Sequence, residues 1–186
     1  NLHCALLDGQ TAVLGLSDPA NASPWPLGIP RLRAHRAAPS RSVLKLDEAL
    51  GHFLDDDERA AWLRPGRRAV DLGAAPGGWT WLLRRFGVAV TAVDNGPLAP
   101  ALIDDTGIEH RREDGFRYRP RRPADWLVCD MVERPHRVAR LAADWLARGD
   151  CRHAIVNLKL PMKRRWQAVS DHLATIAAAL PGGGRI

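Results

Sequence analysis

The sequence predicts an α/β fold, a doubly wound and mostly parallel sheet with helices on both faces, preceded by a small β-hairpin and a linker. Three observations carry this. An apolar run through Val70 ends at Asp71-Leu72 and breaks into Gly73-Ala74-Ala75-Pro76-Gly77-Gly78, and Trp79 to Phe86 then reads as a helix stopped by Gly87. A second apolar run, Val88-Ala89-Val90-Thr91-Ala92-Val93, ends on another acid, Asp94, twenty-three positions after Asp71. Strand and helix patterns alternate from there onward, which with right-handed crossovers gives an open parallel sheet.

The elements follow in order. Leu2 to Leu7 and Thr11 to Leu16 flank Asp8-Gly9-Gln10, a hairpin signal. Residues 18 to 39 carry five prolines and read as an extended basic linker, with Arg31, Arg33 and Arg36 around His35. Trp25 within it could stack on a base or dock the linker. A helix begins at Ser42, with Val43, Leu46, Leu50, Phe53 and Leu54 on its apolar face and Lys45 off that stripe. Arg59 to Leu63 is a further helical piece closed by Pro65-Gly66. After the strand to Leu72 and the strand to Val93, a short helix covers Leu98 to Ile103 and a weak strand covers Ile108 to Arg112. Asp125 to Asp130 is a strand, Val138 to Arg148 a helix stopped by Gly149, His153 to Leu158 a strand, and Lys163 to Leu180 a long helix. Pro181-Gly182-Gly183-Gly184 then turns toward a strand that has barely begun.

Composition narrows the partners. At 186 residues and 46% hydrophobic content the chain is long enough for one ordinary domain with a core. Lys+Arg of 27 against Asp+Glu of 21 gives +6. The arginines cluster at Arg111, Arg112, Arg117, Arg119, Arg121 and Arg122, with Phe116 and Tyr118 between them, which suits phosphate contact with base stacking, or else a solvated loop. No apolar run is long enough to span a membrane, and no signal peptide opens the chain. Three cysteines without a Cys-x-x-Cys spacing support neither a disulfide framework nor a metal site, and a cytoplasmic setting is expected. The start at Asn1 and the stop at Ile186 suggest a piece of a longer protein.

The glycine turn is not a dinucleotide fingerprint, because its order is Gly-x-x-x-Gly-Gly rather than Gly-x-Gly-x-x-Gly. A carboxylate at Asp71 suits a ligand with an ammonium group, such as the methionine end of S-adenosylmethionine. Asp94 stands where such a sheet places the acid that takes ribose hydroxyls. Asp114, after the weak strand, either accepts from an adenine amino group or is an ordinary turn aspartate. Asp71, Asp94, Asp130 and Lys159, each at a strand end, are expected to face one crevice. Lys159 is either a snorkelling edge residue or a buried functional amine.

The segments Ser40 to Leu46, Asp71 to Thr80, Val93 to Pro97, Glu113 to Phe116, Cys129 to Glu133 and Asn157 to Lys163 together resemble the RlmM family of bacterial ribosomal RNA methyltransferases, within the wider FtsJ-like group of ribose 2′-O-methyltransferases. The resemblance runs from about Ser23 to the end. It implies a Rossmann-like fold using S-adenosylmethionine to methylate the ribose 2′-oxygen of a cytidine in the peptidyl-transferase region of 23S ribosomal RNA. It further implies that residues 1–17 are the last hairpin of a THUMP-like RNA-binding domain, that 18–39 is the linker, and that 40–186 is a methyltransferase domain lacking its C-terminal edge strands. Donor binding falls to Asp71, Gly73, Ala75, Pro76, Gly77, Gly78, Trp79, Asp94, Asp114 and Asp130.

The FtsJ-like group works with a Lys-Asp-Lys-Glu set, whose first three members match Lys45, Asp130 and Lys159. The glutamate would lie beyond this chain, which leaves the activity of the chain alone in question. Lys159 is the expected general base, since a lysine needs burial and a second cation nearby to free its lone pair. Asp130 would position the lysines. A monomer without a metal or a membrane partner is expected. Two alternatives stay open: a methyltransferase acting on another RNA ribose or on a base, and a non-catalytic RNA-binding module.

Overall fold

The computed structural model describes all residues except 24, 34, 181–183 and 185. The expected turn at 181–183 therefore lies outside the described residues. The chain divides into two compact units, Asn1–Arg33 and Ala34–Ile186.

In the first unit β1 (Leu2–Leu6) and β2 (Ala12–Leu16) pair antiparallel, with Leu2 opposite Leu16 and Leu6 opposite Ala12. The turn is held by the Asp8 carboxylate, which accepts from the Gln10 and Thr11 amides at 2.8 and 2.7 Å. Where the prolines predict extended chain, the structure has two single 3₁₀ turns, Pro19–Asn21 and Pro26–Gly28. Proline fixes φ near the helical value and suits a first turn, and the Asp18 carboxylate caps one of them by accepting from the Ala20 amide.

The second unit is a five-stranded sheet built from β3 (Arg68–Leu72), β4 (Ala89–Val93), β5 (Ile108–Arg111), β6 (Ala124–Cys129) and β7 (Cys151–Val156). Its order is β5-β4-β3-β6-β7 and every pairing is parallel. Strand order reverses between β3 and β6, because the chain builds outward one way through β4 and β5 and then returns to the other edge of β3.

Alternation along the strands sorts the core into two layers. Trp126 and Val128 point to the face that packs Val43, Leu46 and Leu50 of α1 (Val43–Phe53) and Trp79 and Leu83 of α3 (Gly78–Arg85). Leu127 and Cys129 point to the opposite face, where Val138, Leu141 and Trp145 of α5 (Pro135–Arg148) cover them. Each fully buried Leu or Val here contributes about 1.5–3 kcal/mol. The α1 stripe is shorter than its spacing predicts: Val43, Leu46 and Leu50 are buried, but Phe53, in the last turn, is exposed.

The helix expected from Arg59 begins earlier, as α2 (Asp56–Trp62), because Asp55 and Glu58 form a reciprocal capping box. Its last residue stacks Trp62 on His153 of β7 at 4.3 Å, and Trp126 lies 4.8 Å from the same imidazole. α4 (Pro100–Ile103) seats Leu102 beneath the glycine turn. α6 (Arg165–Ala177) lies along α5 and buries no residue fully. β7 ends at Val156, not at Leu158, so Lys159 stands three residues beyond the strand in irregular chain.

Candidate methyl-transfer site

Three loops at the carboxyl ends of β3, β4 and β5 and the loop after β6 enclose a cavity of about 260 Å³ lined by Gly73, Asp94, Asp114, Phe116, Met131 and Glu133, among others. Asp94 is fixed immediately after β4. Its carboxylate accepts from the Ala75 amide at 3.0 Å and from the Gly96 amide at 2.7 Å, so the same acid ties the glycine turn to the next strand end. Gly73 has φ +77° and accepts no side chain, since a Cβ there would stand 2.5 Å from Met131 Cγ. Asp114 lies at the exposed rim, its carboxylate accepting from the Phe116 amide at 2.9 Å.

Asp71 is placed differently from the expectation. It lies within β3 rather than at its end, is 1% exposed, and does not line the cavity. The Thr80 hydroxyl donates to its Oδ2 at 2.7 Å across the turn. Burial pushes the Asp71 carboxyl up to about 7 from 3.8, against the lowering effect of bonds from Thr80, and the charges of Asp130 and Asp94 push the same way. The Ala75–Pro76 peptide bond in the turn is cis.

A second group of residues meets at Asp130, one position past β6. Lys45 Nζ donates to both of its oxygens, at 3.1 and 2.9 Å. Lys159 Nζ donates to Oδ1, and Asn157 Nδ2 reaches the same oxygen at 2.7 Å. Burial alone would raise the Asp130 carboxyl, but the hydrogen bonds from Lys159, Lys45 and Asn157 outweigh it and hold the group below its ordinary value. Side-chain exposure is 14% at Asp130, 31% at Lys159 and 50% at Lys45, so the carboxylate is sheltered while both amines remain reachable.

Lys45 comes from α1, eighty-five residues before its partner, and α1 is clamped onto the glycine turn. The Trp79 indole N–H donates to the Ser42 carbonyl at 2.8 Å. Gly78 packs so closely that a Cβ would meet the Ser40 and Ser42 hydroxyls at 2.5 Å each. The glycine-rich segment thus serves two purposes: Gly73 and the Ala75 amide shape the cavity, while Gly78 and Trp79 fix the helix that carries Lys45.

The structure brings Lys45, Asp130 and Lys159 together and gathers Gly73, Asp94 and Asp114 around the cavity. Asn157, Met131 and Glu133 join them without having been expected from the sequence. Asn157 had a signal, since residues two apart in extended chain share a face and Asn157 precedes Lys159 by two. Glu133 ion-pairs with Arg137 at the four-residue spacing that its sequence position already offers, whereas the 4.2 Å approach of the Arg137 guanidinium to the Phe116 ring, twenty-one residues away, has no local signal.

A polar-rimmed crevice lies outside the carboxyl edge of a doubly wound sheet, at the point where strand order reverses, the place where open α/β sheets commonly take their ligands. A model of the FtsJ-like methyltransferase family matches residues 38–153, and the chain belongs to that family. It is 61% identical over 175 residues to "Ribosomal RNA large subunit methyltransferase M" of Alkalilimnicola ehrlichii, covering 94% of this chain and 49% of that protein. The protein of the same name from Xanthomonas oryzae pv. oryzae is 58% identical over 165 residues, covering 89% of this chain and 48% of its own length. The chain thus spans about half the length of the curated relatives it matches. A solved S-adenosylmethionine-dependent methyltransferase from Mesorhizobium loti aligns with a TM-score of 0.40 at 26% identity, over 52% of this chain and 44% of its own. Among the described residues no helix is long and apolar enough to cross a membrane.

Proposed function

We propose that this domain transfers a methyl group from S-adenosylmethionine to a ribose 2′-hydroxyl of large-subunit ribosomal RNA, the acceptor being a cytidine of the peptidyl-transferase region. The observation that carries the reading is the convergence of Lys45, Lys159 and Asn157 on the single carboxylate of Asp130 beside the cavity. Two amines held on one acid suit the removal of a proton from a ribose hydroxyl, a poor nucleophile that needs a positioned base. The names of the relatives support ribosomal RNA of the large subunit as the substrate class. The family resemblance is what points to the ribose of a cytidine.

The residues present fit the donor. Asp94 offers a carboxylate to ribose hydroxyls, Phe116 and Met131 give an apolar wall for a purine, and Asp114 stands where an exocyclic amine would reach the rim. When bound, S-adenosylmethionine supplies a methyl group made electrophilic by its sulfonium. In its neutral form, with one N–H still donated to Asp130 and its lone pair turned to the substrate, Lys159 accepts the proton of the 2′-hydroxyl, and the resulting ammonium afterwards releases that proton to water. Asp130 divides its charge among three donors, which orients Lys159 but makes the carboxylate itself too weak a base for the task. Lys45 holds the other carboxylate edge and keeps Asp130 from turning away. Most of the acceleration comes from holding the hydroxyl in line, the effect of fixed intramolecular geometry.

The test is Lys159→Ala, with labelled donor and unmodified large-subunit RNA as acceptor and the product mapped to ribose or base. Loss of a general base lowers the rate by about 10²–10⁴-fold while donor affinity, read by calorimetry, stays within about twofold. Equal loss of transfer and donor binding would make Lys159 a structural residue. Label on a base would leave the fold and donor assignments in place and overturn the ribose acceptor.

A further inference from the structure

The segment after Lys159 has features that neither the donor cavity nor the Asp130 cluster uses. Met162 is 84% exposed and Trp166 81% exposed, among the most open large apolar side chains of the second unit. Between them stand Lys163, Arg164 and Arg165, all exposed. An exposed indole offers a flat apolar face, and the three consecutive cations beside it, two of them arginine with its planar guanidinium, suit a polyanion that also carries aromatic rings. The combination of an open aromatic face with adjacent positive charge is what a single-stranded nucleic acid requires: a π-face for a base and cations for the phosphates that flank it.

The backbone here is shaped. Arg164 takes φ +56°, a conformation uncommon for a residue with a side chain, and it turns the loop into α6 one residue before the helix starts. Arg165 folds back on the loop, its Nε donating to the Pro161 carbonyl at 3.3 Å and its Nη2 reaching Met162 Sδ at 3.6 Å. Arg165 is thereby used in holding the loop. Lys163 and Arg164 flank Trp166 without a described side-chain hydrogen bond or ion pair.

We propose that Trp166, with Lys163 and Arg164, is a stacking platform for an unpaired RNA base close to the acceptor nucleotide, and so a substrate-positioning residue of the acceptor side. It lies seven positions after Lys159, at the point where the same loop enters α6. A ribose hydroxyl can be aligned with Lys159 only if its nucleotide is held out of a helix, and a base stacked on Trp166 would hold the neighbouring strand open. The inference rests on the RNA reading above and adds the element that grips the strand.

The experiment measures binding of a fluorescein-labelled, single-stranded large-subunit RNA fragment by anisotropy, using the full-length protein at several salt concentrations. Trp166→Ala is expected to weaken binding by roughly tenfold or more, the loss of one base–aromatic stack, with the salt slope unchanged because no charge is removed. Trp166→Phe should recover most of the affinity. Lys163→Gln should instead lower the magnitude of the salt slope, by about 0.7 for each phosphate no longer neutralised. Wild-type affinity in Trp166→Ala overturns the proposal. A loss of affinity matched by a lower melting temperature and not rescued by phenylalanine also overturns it, because Trp166 would then be a packing residue. Should wild-type label map to a base, the ribose reading fails while the binding results still decide the platform.

Discussion

Replacing Asp71 by asparagine removes a carboxyl that burial keeps from ionising, and the consequence can be worked out from the fold. The group titrates at about 7 in the folded chain against 3.8 ordinarily. Between those values the folded chain holds a proton that the unfolded chain has released, so the stability contribution is full below about pH 4 and is lost as pH rises toward 7 and beyond. Each pH unit between the two values is worth about 1.4 kcal/mol, so the loss approaches about 4 kcal/mol by pH 8. Asparagine carries no charge, and its amide oxygen can still accept from the Thr80 hydroxyl, which lies at 2.7 Å in the wild type. Urea denaturation of both proteins from pH 4.5 to 8 reads the effect. The variant should gain on the wild type steadily through this range and level off above about pH 7.5, and subtracting the two curves cancels every other titrating group. A difference that stays constant with pH would refute the reasoning, showing that Asp71 is ionised throughout this range, its charge held by the hydrogen bonds from Thr80.

Other outcomes follow from the same geometry. Asp130→Asn should abolish transfer, since the amide cannot hold both Lys45 and Lys159. It should also flatten the acid limb of stability, because a carboxyl held below its ordinary value contributes fully above pH 3.8 and loses that contribution as pH falls further. Gly73→Ala should cost about 1–3 kcal/mol in thermal or chemical unfolding, from a side chain at φ +77° with its Cβ against Met131, and should weaken donor binding as well. Asp94→Ala should weaken donor binding, measured by calorimetry, by at least roughly tenfold, for it removes the acceptor of the Ala75 and Gly96 amides that shape the cavity wall. Asp55→Ala should lower stability by about 1 kcal/mol with transfer unaffected, because it removes only the cap of α2.

Much of the architecture is legible in the sequence because its signals are local. The run into Asp71, the glycines after it and the alternation of Trp126 and Val128 against Leu127 and Cys129 fix strands whose faces differ by one residue. The α2 start is equally local, since Asp55 and Glu58 have the capping-box spacing, yet apolar patterning alone starts the helix too late. Phe53 misleads for the opposite reason: helical spacing assigns a face, but whether the last turn of that face is covered depends on what packs there. Asp71 shows the limit at a site. Its place before the glycines suggests a ligand-facing acid, whereas strand pleat and the Thr80 hydroxyl turn it inward. The meeting of Lys45 with Asp130 spans eighty-five residues and follows from the clamp between Gly78, Trp79 and the start of α1, which no spacing within either segment encodes.

The close approach of Gly73 to Met131 has a consequence for modularity. Met131 is the residue after Asp130, so the turn that shapes the cavity and the loop that presents the central carboxylate lean on each other with no space for a single methyl group. These two loops cannot be exchanged one at a time between related domains. A chimaera that imports a turn with a bulkier residue at position 73 would displace the Asp130 loop even if every residue of the Asp130 cluster were kept, and a working graft would have to carry both segments together.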